Sequence, residues 1–144
     1  MSRMPQLWLS FVLAAMSSGC DTMNWQQYRI SGVHADSADA QRLKVNAMAV
    51  AEQYGLNDAT QTSRVPNTLV FATESGAKQF HTDLGVRFYG DDAIVDVMAG
   101  FGPLVPKFVQ VRDAVGTFLA ENFRERCVAL APTERVRDGL ASYR

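Results

Sequence analysis

One histidine and the carboxylates that follow it are the side chains of this chain best suited to acid–base or metal chemistry. His81 stands two residues before Asp83, and Asp91, Asp92 and Asp96 come next along the chain. Imidazole and carboxylate groups together can bind a divalent metal ion or exchange protons with a substrate. No spacing of a known metal or hydrolase motif accompanies them. The sequence therefore predicts no catalytic and no metal-binding residue, with a hydrolase or metal site around His81 as the less favoured alternative.

Other polar and glycine residues have ordinary structural interpretations. Asp96 lies inside an apolar run, where strand alternation should turn it to solvent or to a sheet edge. His34 falls in a polar segment before a helix. Gly100 and Gly102 precede another helix, but the rest of a phosphate-binding fingerprint is missing, so we expect a strand-to-helix turn. Cys127 is expected to be a buried thiol, with pairing between chains and a catalytic thiol as the alternatives.

Two larger sets of side chains could form binding sites. Cationic side chains near the C-terminus are expected to form a solvated face, with an anion site as the alternative; they are Arg124, Arg126, Arg135 and Arg137. Aromatic side chains at helical spacing are expected in the core, with a pocket for an apolar ligand as the alternative; they are Phe108, Phe118 and Phe123.

The first twenty residues have the layout of an export signal. Arg3 precedes an apolar run at residues 7–16, and small residues follow it. The run is about half of what a bilayer span needs. Its end, Ser17-Ser18-Gly19-Cys20, resembles the lipobox of bacterial lipoproteins, and this resemblance covers residues 1–21.

The resemblance implies a lipid attachment site at Cys20. In that family the cysteine is linked to diacylglycerol, residues 1–19 are removed, and the new amino group is acylated with a fatty acid such as palmitate. Asp21 resembles the inner-membrane retention signal of such proteins, and the outer membrane stays open as the alternative. Ser17 occupies a position where leucine is usual, and Ser17 with Gly19 also fits ordinary signal-peptidase cleavage. A free thiol at position 20 and an uncleaved anchor therefore stay open.

Length and composition indicate that the chain after residue 19 forms one domain. The chain has 144 residues, a formal net charge of −1 and 47% hydrophobic residues. Roughly 125 residues after the leader can build one core. No long block of like charge indicates nucleic acid. We expect a linker at residues 20–24, a domain at residues 25–131 and a polar tail at residues 132–144 that frays.

Hydrophobic periodicity predicts alternating strands and helices. The predicted helices begin after Asp36 or Ser37 and at Pro106, and the first ends at Gly55. A helical turn is predicted at residues 76–84 and a loop at residues 57–67. The predicted strands are residues 25–33, 68–73, 86–89 and 93–98, the last two joined by a turn at Gly90-Asp91-Asp92, with residues 127–131 as an edge strand.

These elements predict an α+β, two-layer sandwich. About four mostly antiparallel strands would carry two amphipathic helices on one face, in the order β-α-β-(α)-β-β-α, with a ferredoxin-like arrangement as the nearest common topology. We expect a small lipid-anchored cell-envelope protein facing the periplasm, a non-enzymatic accessory or assembly factor that acts on an envelope protein partner. It would need no cofactor and bind no nucleic acid. A binding module for a lipid or other small apolar ligand is the alternative.

Overall fold

A computed structural model describes residues 24–63, 65–73, 81–100 and 104–137. These residues build six strands and two helices, which confirms the α+β class. In chain order the elements are β1 (Trp25–Ile30), α1 (Ala38–Tyr54), β2 (Asn57–Asp58), β3 (Leu69–Ala72), β4 (Thr82–Tyr89), β5 (Asp92–Ala99), α2 (Pro106–Asn122) and β6 (Cys127–Leu130).

The six strands form one antiparallel sheet with the order β2-β3-β4-β5-β1-β6. The first strand is therefore interior, paired with β5 on one side and with β6 on the other. Both helices pack on the same face of the sheet and run antiparallel to each other. Arg126, just after α2, reaches back to Asp39 in the first turn of α1, with 2.8 Å between Nη2 and Oδ2.

The two caps of α1 match the sequence-based prediction. The Ser37 hydroxyl accepts a hydrogen bond from the Ala40 amide at 3.1 Å, which satisfies one unpaired N–H of the first turn. Gly55 ends the helix in the left-handed conformation, with φ of 69°. Between the caps, Leu43 and Ala47 lie on the buried stripe that faces the sheet.

The core lies between the helices and one face of the sheet. Alternate residues of the strands point into it, and Leu84 and Val97 are fully buried there. From the helices, Val111 and Leu119 enter the same cluster at helical spacing. Phe123, the residue directly after α2, also belongs to this core cluster.

The sheet has more strands than the four predicted. The predicted helical turn at residues 76–84 is wrong for residues 82–84, which begin β4. Residues 76–80 of the predicted turn lie outside the described residues. Alternation explains the strand, since Leu84 and Val86 face the helices while Gly85 and Arg87 face away. The two-residue β2 also lies within the predicted loop, where both its residues are exposed and give no hydrophobic pattern.

The structure confirms the predicted hairpin, the predicted edge strand and both predicted helices, which are β4–β5, β6, α1 and α2. The turn is tighter than predicted, because Asp92 already belongs to β5 and only Gly90 and Asp91 connect the strands. Gly90 has φ of 61°, a conformation that glycine adopts without strain. The predicted fraying of the tail is wrong for residues 132–137, which turn back and pack on the sheet.

Candidate functional site

The face of the sheet turned away from the helices holds four buried side chains that we call the polar cluster: Trp25, Gln27, Arg87 and Asp96. The period of two in each strand points them to this face, away from the core. Gln27, Arg87 and Asp96 are each at most 1% exposed. Charged side chains are almost never this buried unless they are paired, so the contacts within the cluster decide whether it is stable.

The Asp96 carboxylate is the acceptor at the centre of the polar cluster. Its Oδ1 accepts hydrogen bonds from Trp25 Nε1 at 2.8 Å and Gln27 Nε2 at 2.7 Å. Its Oδ2 accepts from Arg87 Nε at 3.0 Å. Gly85 of β4 lies directly opposite Asp96 and places no side chain next to the carboxylate. These charge-assisted hydrogen bonds offset the cost of removing the carboxylate from water.

Burial raises the pKa of the Asp96 carboxyl, while the charge of Arg87 and the hydrogen bonds act in the opposite direction. The prediction that Asp96 faces solvent or a sheet edge is wrong. Strand alternation does turn it away from the helices, but that face is covered where the C-terminal tail crosses it. The pattern of a strand does not show whether a distant segment covers its second face.

The tail binds the polar cluster through the backbone of Val136. The Gln27 side-chain amide donates from Nε2 to the Val136 carbonyl at 2.9 Å and accepts from the Val136 amide at 2.7 Å. Arg87 donates to the same carbonyl from Nη2. One glutamine side chain thus pairs with both backbone groups of one residue, as a neighbouring strand would.

Two arginines of the tail flank this contact and lie on Trp25. Arg135 donates to the Trp25 carbonyl at 2.6 Å. The guanidinium carbons of Arg135 and Arg137 lie 4.5 and 5.2 Å from the centroid of the indole ring, within the range of cation–π attraction. No local sequence pattern indicates these contacts, because the partners are separated by more than a hundred residues.

His81 and Asp83 are in contact, as their spacing allows. Their side chains lie at the start of β4, with 2.5 Å between His81 Nε2 and Asp83 Oδ1. Burial raises the pKa of the Asp83 carboxyl, and the neighbouring imidazole opposes that effect. Thr73 Oγ1 lies 3.5 Å from the other ring nitrogen of His81. The two groups are close enough to form an ion pair, but Asp83 Oδ1 is buried and accepts no hydrogen bond of normal geometry among the described residues.

The remaining carboxylates of the predicted His81 site lie elsewhere. Asp91 and Asp92 sit at the opposite end of the hairpin, roughly 25 Å away at the ~3.3 Å rise per residue of a strand. Asp92 binds Arg29 at 2.7 Å and the Gly32 amide at 3.0 Å. Among the described residues, no three His, Cys, Asp or Glu side chains are placed to share a metal ion.

The helix layer carries an apolar groove on its outer side. The groove has a volume of about 580 Å³ and is open to solvent. Val45 and the nearby Met48 are 55% and 54% exposed. Residues from both helices line it: Ala38, Gln41, Arg42, Val45, Asn46, Ala49 and Phe118. The residues of α1 in this lining recur at helical spacing, and Ala38, Val45 and Ala49 are its apolar members on this outer side of the helix.

The aromatic side chains divide between the core and the groove. Phe108 and Phe123 are 3% and 2% exposed, as predicted for core residues. Phe118 lines the groove and packs edge-on against Phe123, with 6.1 Å between ring centroids.

The four C-terminal arginines do not form one cluster. Arg124 is exposed, and Arg126 binds Asp39 at one end of the helix pair. Arg135 and Arg137 lie on the other side of the sheet, against the polar cluster. A single anion site built from all four is therefore excluded.

Cys127 is half-buried in β6 and packs against the core. Burial raises the pKa of its thiol, which lowers the fraction of the nucleophilic thiolate. His34 is exposed and lies 3.4 Å from Asp91. Cys20 and the residues around it, and Gly102 of the predicted strand-to-helix turn, lie outside the described residues.

No family model matches this chain, and neither the curated proteins nor the solved structures gave a significant match. In the part of the chain that the structure describes, neither helix has the length and apolar character that crossing a membrane requires.

Proposed function

We propose that this protein is a bacterial lipoprotein, anchored at Cys20, that acts without catalysis as an accessory or assembly factor on the periplasmic side of the envelope. The lipobox-like sequence supports the anchor, and Asp21 favours the inner membrane. The observation that carries the contact role is the apolar groove between α1 and α2. Concave, mostly apolar surface is where binding sites are most often found, and Val45 is more than half exposed there.

The proposed anchor would hold the folded domain close to the bilayer. Asn24 is the first described residue, and four residues of extended chain from Cys20 reach at most ~14 Å. The end of the sheet where β1 begins would therefore face the membrane. Three acyl chains, at about 0.8 kcal/mol per buried methylene, make dissociation negligible. A protein held this way meets partners in or beside the same membrane.

The groove fits an amphipathic segment of a partner protein. Val45, Ala49 and Phe118 supply an apolar floor between two antiparallel helices, which is the form of a helix-binding groove. Arg42 is the charged residue of the lining. We therefore propose a partner helix with an apolar stripe and a carboxylate beside it.

Photo-crosslinking in native membranes tests this function. A photoreactive amino acid replaces Val45 in the lipidated protein, and we expect one adduct of defined mass with an envelope protein. The matched control places the same group at Val128, which is 56% exposed on the edge strand β6. Adducts of equal yield at Val45 and Val128, or none at Val45, would contradict the contact role. Loss of the Val45 adduct when residues 1–20 are replaced by the leader of a secreted protein without a lipid site would show that the anchor brings the partners together.

A binding module for a lipid or other small apolar ligand is the second candidate. The groove volume of about 580 Å³ lies within the range of small-molecule sites, and apolar atoms dominate its lining. Native mass spectrometry of the protein released gently from membranes distinguishes the two. A co-purifying small molecule that Val45→Glu removes would support this candidate over the protein contact.

We also propose a ferredoxin-like core within the sheet. Without β2 and β3, the order of elements is β1-α1-β4-β5-α2-β6, which is the β-α-β-β-α-β pattern of that fold. The strand order β4-β5-β1-β6 and the placement of both helices on one face support the proposal. In this description, β2 and β3 are a hairpin inserted after α1 that extends one edge of the sheet.

A further inference from the structure

The polar cluster has the chemistry of a peptide-binding site. Gln27 satisfies the N–H and the C=O of Val136, and Arg87 donates to the same carbonyl. These contacts recognise extended backbone, independently of which side chain Val136 carries. Recognition of this kind resembles the addition of a strand to a sheet edge, where main-chain hydrogen bonds give affinity and side-chain pockets give selectivity.

Selectivity for the bound segment comes from Trp25 and Asp96. Arg135 and Arg137, which stand two residues apart in the tail, both lie on the indole ring of Trp25. The buried carboxylate of Asp96 attracts Arg135 and favours the charged form of its guanidinium. A bound segment with arginines on either side of a central residue therefore suits the site.

The tail fits this site imperfectly. Arg135 Nε is buried and has no hydrogen-bond partner among the described residues. Burial and the nearby charge of Arg137 lower the pKa of Arg135, so its charge is held at a cost. A buried donor without a partner destabilises the contact that contains it. A segment that satisfies this donor would bind better than the tail does.

We propose that the polar cluster is a binding site for an extended peptide, that residues 135–137 occupy it as an internal ligand, and that a partner protein's segment with arginines on either side of its central residue displaces them. The tail joins β6 through the exposed turn at Pro132–Glu134. Such a short connection gives the tail an effective concentration near the millimolar range. The partner segment must therefore bind more tightly or be held on the same membrane. This site lies on the opposite side of the sheet from the groove, and its peptide binding does not depend on whether the groove binds a partner.

Peptide exchange in the complete protein tests this proposal. A cleavage site for a sequence-specific protease is inserted between Thr133 and Glu134, so that the folded chain can be cut while every residue is kept. A fluorescent peptide with the sequence of residues 131–137 is then titrated into the cut and the uncut protein. We expect saturable binding to the cut protein and at least tenfold weaker binding to the uncut protein, where the attached tail competes.

A backbone-modified peptide is the matched control. Methylation of the amide nitrogen at Val136 removes the donor to Gln27 and leaves every side chain and the protein unchanged. We expect at least tenfold weaker binding, while Val136→Thr in the peptide should bind within about threefold of the original. Equal binding of the N-methylated peptide would overturn the proposal. Loss of folded structure on cutting, seen by circular dichroism, would also overturn it, because the tail would then be a structural part of the domain.

Discussion

Asp96 illustrates what one residue can reveal about a fold. Its position in an apolar strand marks it as unusual in the sequence, and strand alternation gives its direction away from the helices. The partners of the carboxylate could not be predicted, because Trp25, Gln27 and Arg87 all come from other strands. His81 and Asp83 were predictable as a pair because they are close in sequence, whereas Asp92 turned out to hold the end of β1.

Removing one partner of the buried ion pair should lower the free energy of unfolding more than removing both partners does. Asp96→Leu leaves the Arg87 guanidinium buried without its carboxylate, and we expect a loss of about 3–5 kcal/mol in the free energy of unfolding. Arg87→Met combined with Asp96→Leu should recover at least half of this loss, as measured by urea denaturation. The exposed pair Arg112–Asp113 supplies the control, since Asp113→Leu should change stability by less than about 0.5 kcal/mol. A double variant as unstable as Asp96→Leu would contradict this account of the pair.

Asp92 should make stability depend on pH on the acid side. The hydrogen bond from Arg29, followed by the one from the Gly32 amide, lowers the pKa of this carboxyl below its unfolded value of ~3.9. The stability it contributes is therefore fully present above the unfolded pKa and is lost as pH falls through the lower folded pKa. Arg29→Met should remove up to about 1 kcal/mol at pH 6 and less at pH 3. Urea midpoints across this range measure the difference, and a loss that is the same at both pH values would count against it.

Among the elements, the two helices and the hairpin were predictable because their signals are local. Ser37, Gly55 and Pro106 mark helix ends, and the apolar stripes between them have the period of a helix. The two-residue β2 carries no such signal, and its existence depends on pairing with β3. At the start of β4 the sequence predicts a helical turn because Gly85 resembles a helix stop, whereas in the sheet Gly85 pairs with Asp96 of β5.

The close approach of α2 to β1 should limit the size of residue 116. A Cβ at Gly116 would stand 3.0 Å from the Tyr28 hydroxyl oxygen, tighter than ordinary contact. We expect Gly116→Val to lower the free energy of unfolding by about 1–3 kcal/mol through overpacking. Gly116→Ala should stay within about 1 kcal/mol of the original protein, because its gain in helix propensity offsets a smaller clash. Thermal or urea unfolding measures both, and a Gly116→Val variant as stable as Gly116→Ala would show that Tyr28 moves without cost.

The described domain has two candidate binding surfaces, which lie on opposite sides of its sheet. The apolar groove lies on the helix layer, and the polar cluster with its bound tail lies on the other side. In the proposed orientation, the short linker from Cys20 directs the start of β1 to the bilayer and leaves both surfaces at the sides of the domain. Each surface could then meet a partner in the plane of the same membrane.

Intact mass spectrometry of the native protein, extracted from its own membranes, tests the central claim most directly. The account predicts a chain that begins at Cys20 and carries the added mass of a diacylglyceryl group and an amide-linked acyl chain. Cys20→Ser should abolish that mass and leave the leader uncleaved. A native chain with an unmodified Cys20, or with residues 1–19 still attached, would contradict the claim that this domain is anchored by lipid.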